Sequence, residues 1–317
     1  MTLRKKDLNR LFKRRKPPLE EQMAREFLGE MRAKRRWGIF FKISFLVYLT
    51  VLIALLTPKG SEIQIGEDST ITGLVRLEGV IGADGVGGVN DTIKDLRRAF
   101  EDDRTKAIIL SINSPGGSPV QSSNVSKEIK RLREDFPNKL IYTVIEDICA
   151  SGGYFVASAT DQIFANESSL VGSIGVRFDS FGFDRSLDRL GIERRLITAG
   201  AHKGMLDPFL PIKKDELKHI ETLLAEIHRQ FINAVKAGRG DKLKPALEDL
   251  FTGKIWTGKR GIELGLVDEL GSIEHVAKYV VKAEKIVDFT RQKYPWEDSL
   301  GLHLKSVLYS LQNLSIW

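Results

Sequence analysis

Ser151 sits in the stretch Ile148-Cys149-Ala150-Ser151-Gly152-Gly153-Tyr154, between a strand-like apolar run at 140–145 and a helix-like run from Tyr154. A serine at a strand-to-helix turn exposes its hydroxyl as a nucleophile. The helix N-terminus favours developing negative charge, and the glycine after it lets a carbonyl approach the backbone amide. A small residue starting a helix against a sheet would look the same. Upstream, Asn113-Ser114-Pro115-Gly116-Gly117 follows the apolar run AIILSI. Its proline sets a turn, and its two glycines bare consecutive N–H groups where an oxyanion could bind, with the Gly152 amide as a second donor. No Gly-Lys-Ser/Thr follows at the spacing of a nucleotide-binding P-loop. A nucleophilic serine needs a base. Two neighbours qualify in Gly200-Ala201-His202-Lys203-Gly204: the imidazole of His202, or the amine of Lys203 if burial lowers its pKa. The residues alone leave that choice open.

The elements that must position these groups alternate. Strand-like runs at 71–77, 107–112, 140–145, 162–164 and 193–198 are separated, up to 164, by helical patterns at 91–100, 119–136 and 151–160. This is the pattern of an α/β domain built from repeated β-α-β units on a largely parallel sheet. A long amphipathic helix is predicted over 215–237, ended by Gly238-Arg239-Gly240, and a last one over 300–317, with Leu304, Val307, Leu308, Leu311 and Leu314 on one face.

The 317 residues carry a net charge of +7, but it is unevenly placed: residues 1–36 hold +8, while 61–317 hold −3. A basic appendage on a mildly acidic domain removes the argument for nucleic-acid binding. The basic segment runs into WGIFFKISFLVYLTVLIALL at 37–56, long enough as a helix to span a bilayer, with Lys42 near one end. The expected organisation is a basic cytoplasmic segment at 1–36, a transmembrane anchor at 37–57, a linker at 58–70, a catalytic domain at 71–285 and a helical extension at 286–317. Positive charge before the span puts the N-terminus in the cytoplasm and the domain outside it, on a bacterial inner membrane. A lone cysteine, Cys149, and five scattered histidines give no disulfide framework and no metal-ligand spacing, so neither a metal nor a cofactor is expected.

The ordered series of the Asn113–Gly117 loop, Ala150-Ser151-Gly152-Gly153-Tyr154, Val171-Gly172-Ser173-Ile174-Gly175-Val176, Gly200-Ala201-His202-Lys203, Thr252-Gly253-Lys254-Ile255-Trp256-Thr257-Gly258 and Leu264-Gly265-Leu266-Val267-Asp268 closely resembles the signal peptide peptidase A family of serine proteases, in its half-length, membrane-anchored form. The resemblance covers about residues 70–285. It implies a Clp-protease/crotonase-like fold and a Ser–Lys dyad, with Ser151 as nucleophile and Lys203 as general base. Oxyanion donors are implied at Gly152 and in the Gly116-Gly117 loop, Gly117 being favoured. It also implies hydrophobic peptide substrates such as signal-peptide remnants, and a homo-oligomer whose neighbouring subunits contribute serine and lysine to one site. Gly204 departs from relatives that carry a polar residue after the lysine, and Ser173 is a candidate to orient the amine instead. The competing expectations are a crotonase-type acyl-CoA enzyme, disfavoured by export, and a non-hydrolytic membrane scaffold.

Overall fold

The computed structural model describes residues 19–56, 70–83, 88–244 and 247–291. It divides into an N-terminal unit, Met1–Gly66, and a second unit, Glu67–Trp317. In the first, a single unbroken helix, α1, covers Leu19–Leu56. It contains no proline to interrupt it. Trp37, Phe40 and Phe41 cluster where its basic part gives way to its apolar part, the Trp37 and Phe40 rings meeting edge to face at 5.7 Å. Among the described residues, no helix is long and apolar enough to cross a membrane. The apolar side chains described, 37–52, rise about 24 Å at 1.5 Å per residue, short of a hydrocarbon core of roughly 30 Å. The rest of the expected anchor, to residue 57, lies beyond the side chains described.

The second unit is α/β. Strand β1 (Ile71–Glu78), helix α2 (Val89–Glu101), β2 (Thr105–Ser114), α3 (Pro119–Asp135), β3 (Leu140–Ala150), α4 (Gly152–Ala157), β4 (Gln162–Ala165) and β5 (Leu170–Gly172) follow in order. Beyond them come α5 (Asp184–Arg189), the long α6 (Lys214–Arg239), α7 (Leu247–Leu250), β6 (Ile255–Thr257), α8 (Gly258–Leu264), β7 (Glu269–Leu270), α9 (Ile273–His275) and β8 (Ile286–Asp288). The strands form one sheet in the order β6-β5-β3-β2-β1-β8, with β4 beside β3 and β7 beside β4. Every pairing is parallel except that of β5 with β6.

Parallel central strands are covered on both faces and so read as continuous apolar runs. In β2, Ile108, Leu110 and Ile112 enter the core under α2, α3 and α4, while Ala107 and Ile109 face the layer containing Tyr142, Phe164 and Val276. β3 carries the main departure from the expected strand at 140–145. Its first half pairs with β4 through Tyr142–Ile145, its last three residues with β5, and the ladder to β2 slips between Ile112 and Ser114. Glu146 and Asp147 occupy the slip and take side-chain hydrogen bonds from Ser111 (2.9 Å) and Asn113 (3.0 Å). The sheet therefore forks, and the branch with β5 delivers Ala150 to the turn that follows.

Two further expectations change. Residues 193–198 form no strand: Leu196 and Ile197 are exposed, and no neighbouring strand offers their backbone a ladder. The sheet does not end at 285 either, because β8 pairs with β1. The predicted helix at 300–317 lies outside the described residues, as do residues 1–18 and all of the linker but its last residue.

Gly265 and Asp268, in the last of the ordered motifs, serve the scaffold. The buried Arg239 guanidinium donates to the Gly265 carbonyl (2.9 Å) and the Asp268 carboxylate (2.7 Å), which also takes the Ile163 amide (2.7 Å) and lies 2.9 Å from Lys242 Nζ. Burial alone would raise the Asp268 pKa, but the hydrogen bond and charge of Arg239, aided by Lys242, outweigh it and hold the pKa below the ordinary 3.8. Asp268→Ala strands a buried guanidinium and is expected to cost about 3–5 kcal/mol. Since the folded pKa is depressed, the carboxylate's contribution is complete above about pH 4 and is lost as pH falls through the folded value. Urea melts of wild type and Asp268→Ala at pH 7 should thus differ widely, and the gap should narrow as pH falls below about 4.

Candidate active site

The backbone between β3 and α4 is strained where the sequence pattern places the nucleophile. Ser151 has φ 51° and ψ −120°, dihedrals that glycine adopts freely and that cost another residue about 1–3 kcal/mol. It occupies the N-cap position of α4, yet its side chain makes no capping hydrogen bond. A serine retained to start a helix has extended dihedrals and accepts from the first-turn amides, so the helix-start reading does not describe this residue. Three contacts hold the turn. The Ser151 amide donates to the Gly172 carbonyl at 2.9 Å, the Ser151 carbonyl accepts from Phe155 at 2.9 Å, and Gly116 lies so close that a Cβ there would fall 2.7 Å from Ser151 Cβ.

The Gly116-Gly117 loop is fixed by a short strand-like contact that nothing local in the sequence announces. Ile81 forms an isolated parallel bridge with Gly117: the Ile81 amide donates to the Gly116 carbonyl (2.8 Å) and the Ser118 amide to the Ile81 carbonyl (2.9 Å). In such a bridge the amide of the bridged residue points to the other side, here toward α4. A Cβ built on Gly152 would lie 3.3 Å from the Gly117 nitrogen, and one on Gly116 would lie 2.8 Å from the Gly152 nitrogen. Neither the Gly117 nor the Gly152 amide has an acceptor among the described residues. The Gly116 amide is engaged, donating to Ser114 Oγ at 3.1 Å, and that hydroxyl donates to the Gly79 carbonyl at 2.6 Å. The two open donors are thus Gly117 and Gly152. Ser114 and Ser122 complete the seat. The Ser122 hydroxyl donates to the Ser118 carbonyl (3.0 Å) and fills the space a side chain at Gly152 would need.

Around this seat the apolar packing is tight. Tyr154 is fully buried and donates its hydroxyl to the Leu266 carbonyl at 2.8 Å. Burial raises the pKa values of both Tyr154 and Cys149, which leaves Cys149 a buried thiol rather than a reactive thiolate.

The lysine lies on a different kind of structure. From Ser173 to Lys213 the chain forms a protrusion with little regular structure besides α5, and Phe178, Phe181, Phe183, Leu190, Ile192 and Ile197 are exposed on it, Ile197 at 95%. His202 and Lys203 are exposed on a run of tight turns, with the Lys203 amide donating to Gly200 (3.1 Å) and Met205 to His202 (3.1 Å). No hydrogen bond joins Lys203 to Ser151 or to Ser173 within one chain. Ser173 is itself at φ 52°, its amide donating to the Lys254 carbonyl at 2.7 Å. Gly204 is packed closely by the Leu196 side chain. Among the described residues, no group of His, Cys, Asp or Glu could hold a metal ion.

The model of peptidase family S49 matches residues 135–287. A putative protease of Synechocystis is 30% identical over 211 residues, covering 67% of this chain and 74% of its own. The chain belongs to peptidase family S49. A putative signal peptide peptidase SppA of Enterococcus faecium is 28% identical over 296 residues, covering 82% of this chain and 84% of its own. Higher identity, 43% over 205 residues and 63% of this chain, is found to a Brucella melitensis protein named Na(+)/H(+) antiporter NhaA, of whose length the match spans 28%. The S49 match takes in both Ser151 and Lys203, but begins after the Gly116-Gly117 loop.

Gly117→Ala tests the seat. The new Cβ would press on the Ile81 backbone, 2.7 Å from its nitrogen, from a positive φ of 155°, so the loop must move and its open amide with it. Loss of one oxyanion donor costs about 10²–10³ in turnover. Peptide hydrolysis should fall by at least about 100-fold on that basis, measured on protein whose melting transition is retained.

Proposed function

We propose that this S49 member is a membrane-anchored serine endopeptidase. In this reading Ser151 is the nucleophile, Lys203 the general base, and the amides of Gly117 and Gly152 form the oxyanion hole. The observation that carries it is the strained, non-capping Ser151 beside two backbone amides with no acceptor. Strain of this kind persists where a fold over-determines it, and it gathers at reactive sites.

The chemistry follows from those positions. A neutral Lys203 amine takes the Ser151 proton as Oγ attacks the peptide carbonyl, and the carbonyl oxygen becomes an anion held by the two amides. The intermediate collapses by breaking the C–N bond, and the lysine returns its proton to the leaving amine. Water, deprotonated by the same amine, then attacks the acyl-enzyme ester and frees Ser151. A lysine serves as base only where its surroundings keep it neutral. In a single chain Lys203 is exposed and makes no hydrogen bond to Ser151. The exposed aromatic and aliphatic residues of the protrusion support the remaining step: a second copy packs on it, buries Lys203 and brings it to the serine of a neighbouring subunit. The apolar second half of α1 and the basic residues that precede it along the chain support anchorage with the N-terminus in the cytoplasm and the catalytic unit outside. The substrates proposed are signal-peptide remnants and other short hydrophobic peptides at the membrane. The backbone-amide seat would also suit a thioester oxyanion, but the proposed export disfavours acyl-CoA chemistry.

Selective labelling of Ser151 by a fluorophosphonate on detergent-solubilised protein tests the nucleophile. Ser151→Ala and Lys203→Ala should each abolish peptide hydrolysis without unfolding, while His202→Ala should retain most of it. Mixed and reassembled, the two inactive variants should regain a fraction of wild-type activity, since one kind of site then holds both residues. Full activity in Lys203→Ala would remove the dyad, and labelling confined to another serine would remove Ser151.

A further inference from the structure

We infer that Trp256 is a positioning residue for the nucleophile turn: its indole ring, laid against Gly172, fixes the carbonyl that receives the Ser151 amide. The inference rests on the reading of Ser151 as nucleophile. The Ser151 amide donates to the Gly172 carbonyl at 2.9 Å, so the orientation of that one peptide group helps set the dihedrals of Ser151. Gly172 is not held by its own strand alone. β5 has three residues, and Gly172 closes it at φ +102°. β6, equally short, pairs with it antiparallel, Val171 opposite Trp256 and Gly172 opposite Ile255, and the Ser173 amide continues the contact to the Lys254 carbonyl at 2.7 Å. Two three-residue strands at the end of a sheet have few hydrogen bonds between them, so packing must hold their register.

Trp256 supplies that packing. It rests against the core that contains Val171 and Leu264. Its ring comes so near Gly172 that a Cβ there would lie 2.9 Å from Trp256 Cδ1 and 3.1 Å from the Lys254 carbonyl oxygen. The ring thus closes the side of Gly172 opposite to freedom of movement, and Gly172 needs both its missing side chain and its positive φ to fit beneath it. Lys254 Nζ stands 6.0 Å from the ring centre and is held by Asp249 Oδ1 at 2.7 Å, which limits the ring from outside. The indole N–H is buried without an acceptor among the described residues. The ring is therefore kept for its shape and not for a hydrogen bond within the chain, and an aromatic ring lacking the N–H should replace it.

The test uses full-length protein in detergent and reads three quantities: the fluorophosphonate labelling rate of Ser151, kcat and KM for peptide hydrolysis, and the melting temperature. A displacement of about 1 Å at a reacting group costs on the order of 10²-fold, so Trp256→Ala should label and turn over about 100-fold more slowly, with the loss in kcat and KM little changed. Trp256→Phe should stay close to wild type. Trp256→Leu retains apolar volume over the core and guards against collapse of the Ala variant; it should label about 10-fold more slowly at an unchanged melting temperature. Wild-type labelling rates in both Trp256→Ala and Trp256→Leu would overturn the inference. So would a Phe variant as impaired as the Ala variant, which would assign the role to the N–H. If the wild-type protein is not labelled at Ser151 at all, it is the nucleophile reading that fails, a result distinct from either.

Discussion

The catalytic unit is organised around one hydrogen bond, from the Ser151 amide to the Gly172 carbonyl at 2.9 Å. It ties the last residue before α4 to the last residue of β5 and requires Ser151 to take dihedrals that serine avoids. The opposing cost, about 1–3 kcal/mol, is offset only because both ends of the bond are already placed. β3 departs from β4 at Glu146-Asp147 so that Ala150 can lie opposite Gly172, while β6 holds β5 from its other edge. The turn is thus set by the forking of the sheet, and the fork depends on a two-residue slip in register against β2 that polar side chains of β2 stabilise.

The same geometry explains the distribution of glycines. Gly116 has to approach Ser151 Cβ, Gly117 has to accept the Ile81 bridge, and Gly152 has to leave room for the Ser122 hydroxyl. Each is a place where one backbone passes within a side chain's width of another. Between them two amides remain without an acceptor among the described residues: Ser114 engages the Gly116 amide, and those of Gly117 and Gly152 stay open as the proposed oxyanion seat.

What the sequence made legible follows from how local each signal is. Apolar runs located β1 to β4 within a few residues, since a buried parallel strand writes its own burial along the chain. The glycines beside Ser151 marked a turn, and the helix over 215–237 was plain from its spacing, extending in the structure to Lys214–Arg239. The pairing partners were not legible. Ile81 meets Gly117 36 positions further along the chain, and the fork in β3 depends on β5, which lies some twenty residues downstream. Leu196 and Ile197 show the converse failure: β-favouring residues predict a strand at 193–198, but propensity describes a fit to a half-buried pleated surface, and these residues have no such surface within the chain.

That last mismatch bears on how activity is organised. Core strands place the serine to within the tolerance of hydrogen bonds, whereas the proposed base stands on turns stabilised by i to i+3 contacts and exposed to solvent. In a single chain that lysine is exposed and makes no hydrogen bond to Ser151. Keeping nucleophile and base on elements of such different packing makes chemistry conditional on whatever covers the protrusion. The exposed Phe181, Phe183 and Phe209, with the last two rings stacked at 5.7 Å, already present an ordered apolar surface for that covering. On the proposed reading, a chain folded alone holds the Gly117 and Gly152 amides in place but lacks the contact between Ser151 and Lys203. Hydrolysis should therefore depend on protein concentration more steeply than folding does, whereas the geometry of the seat should not change.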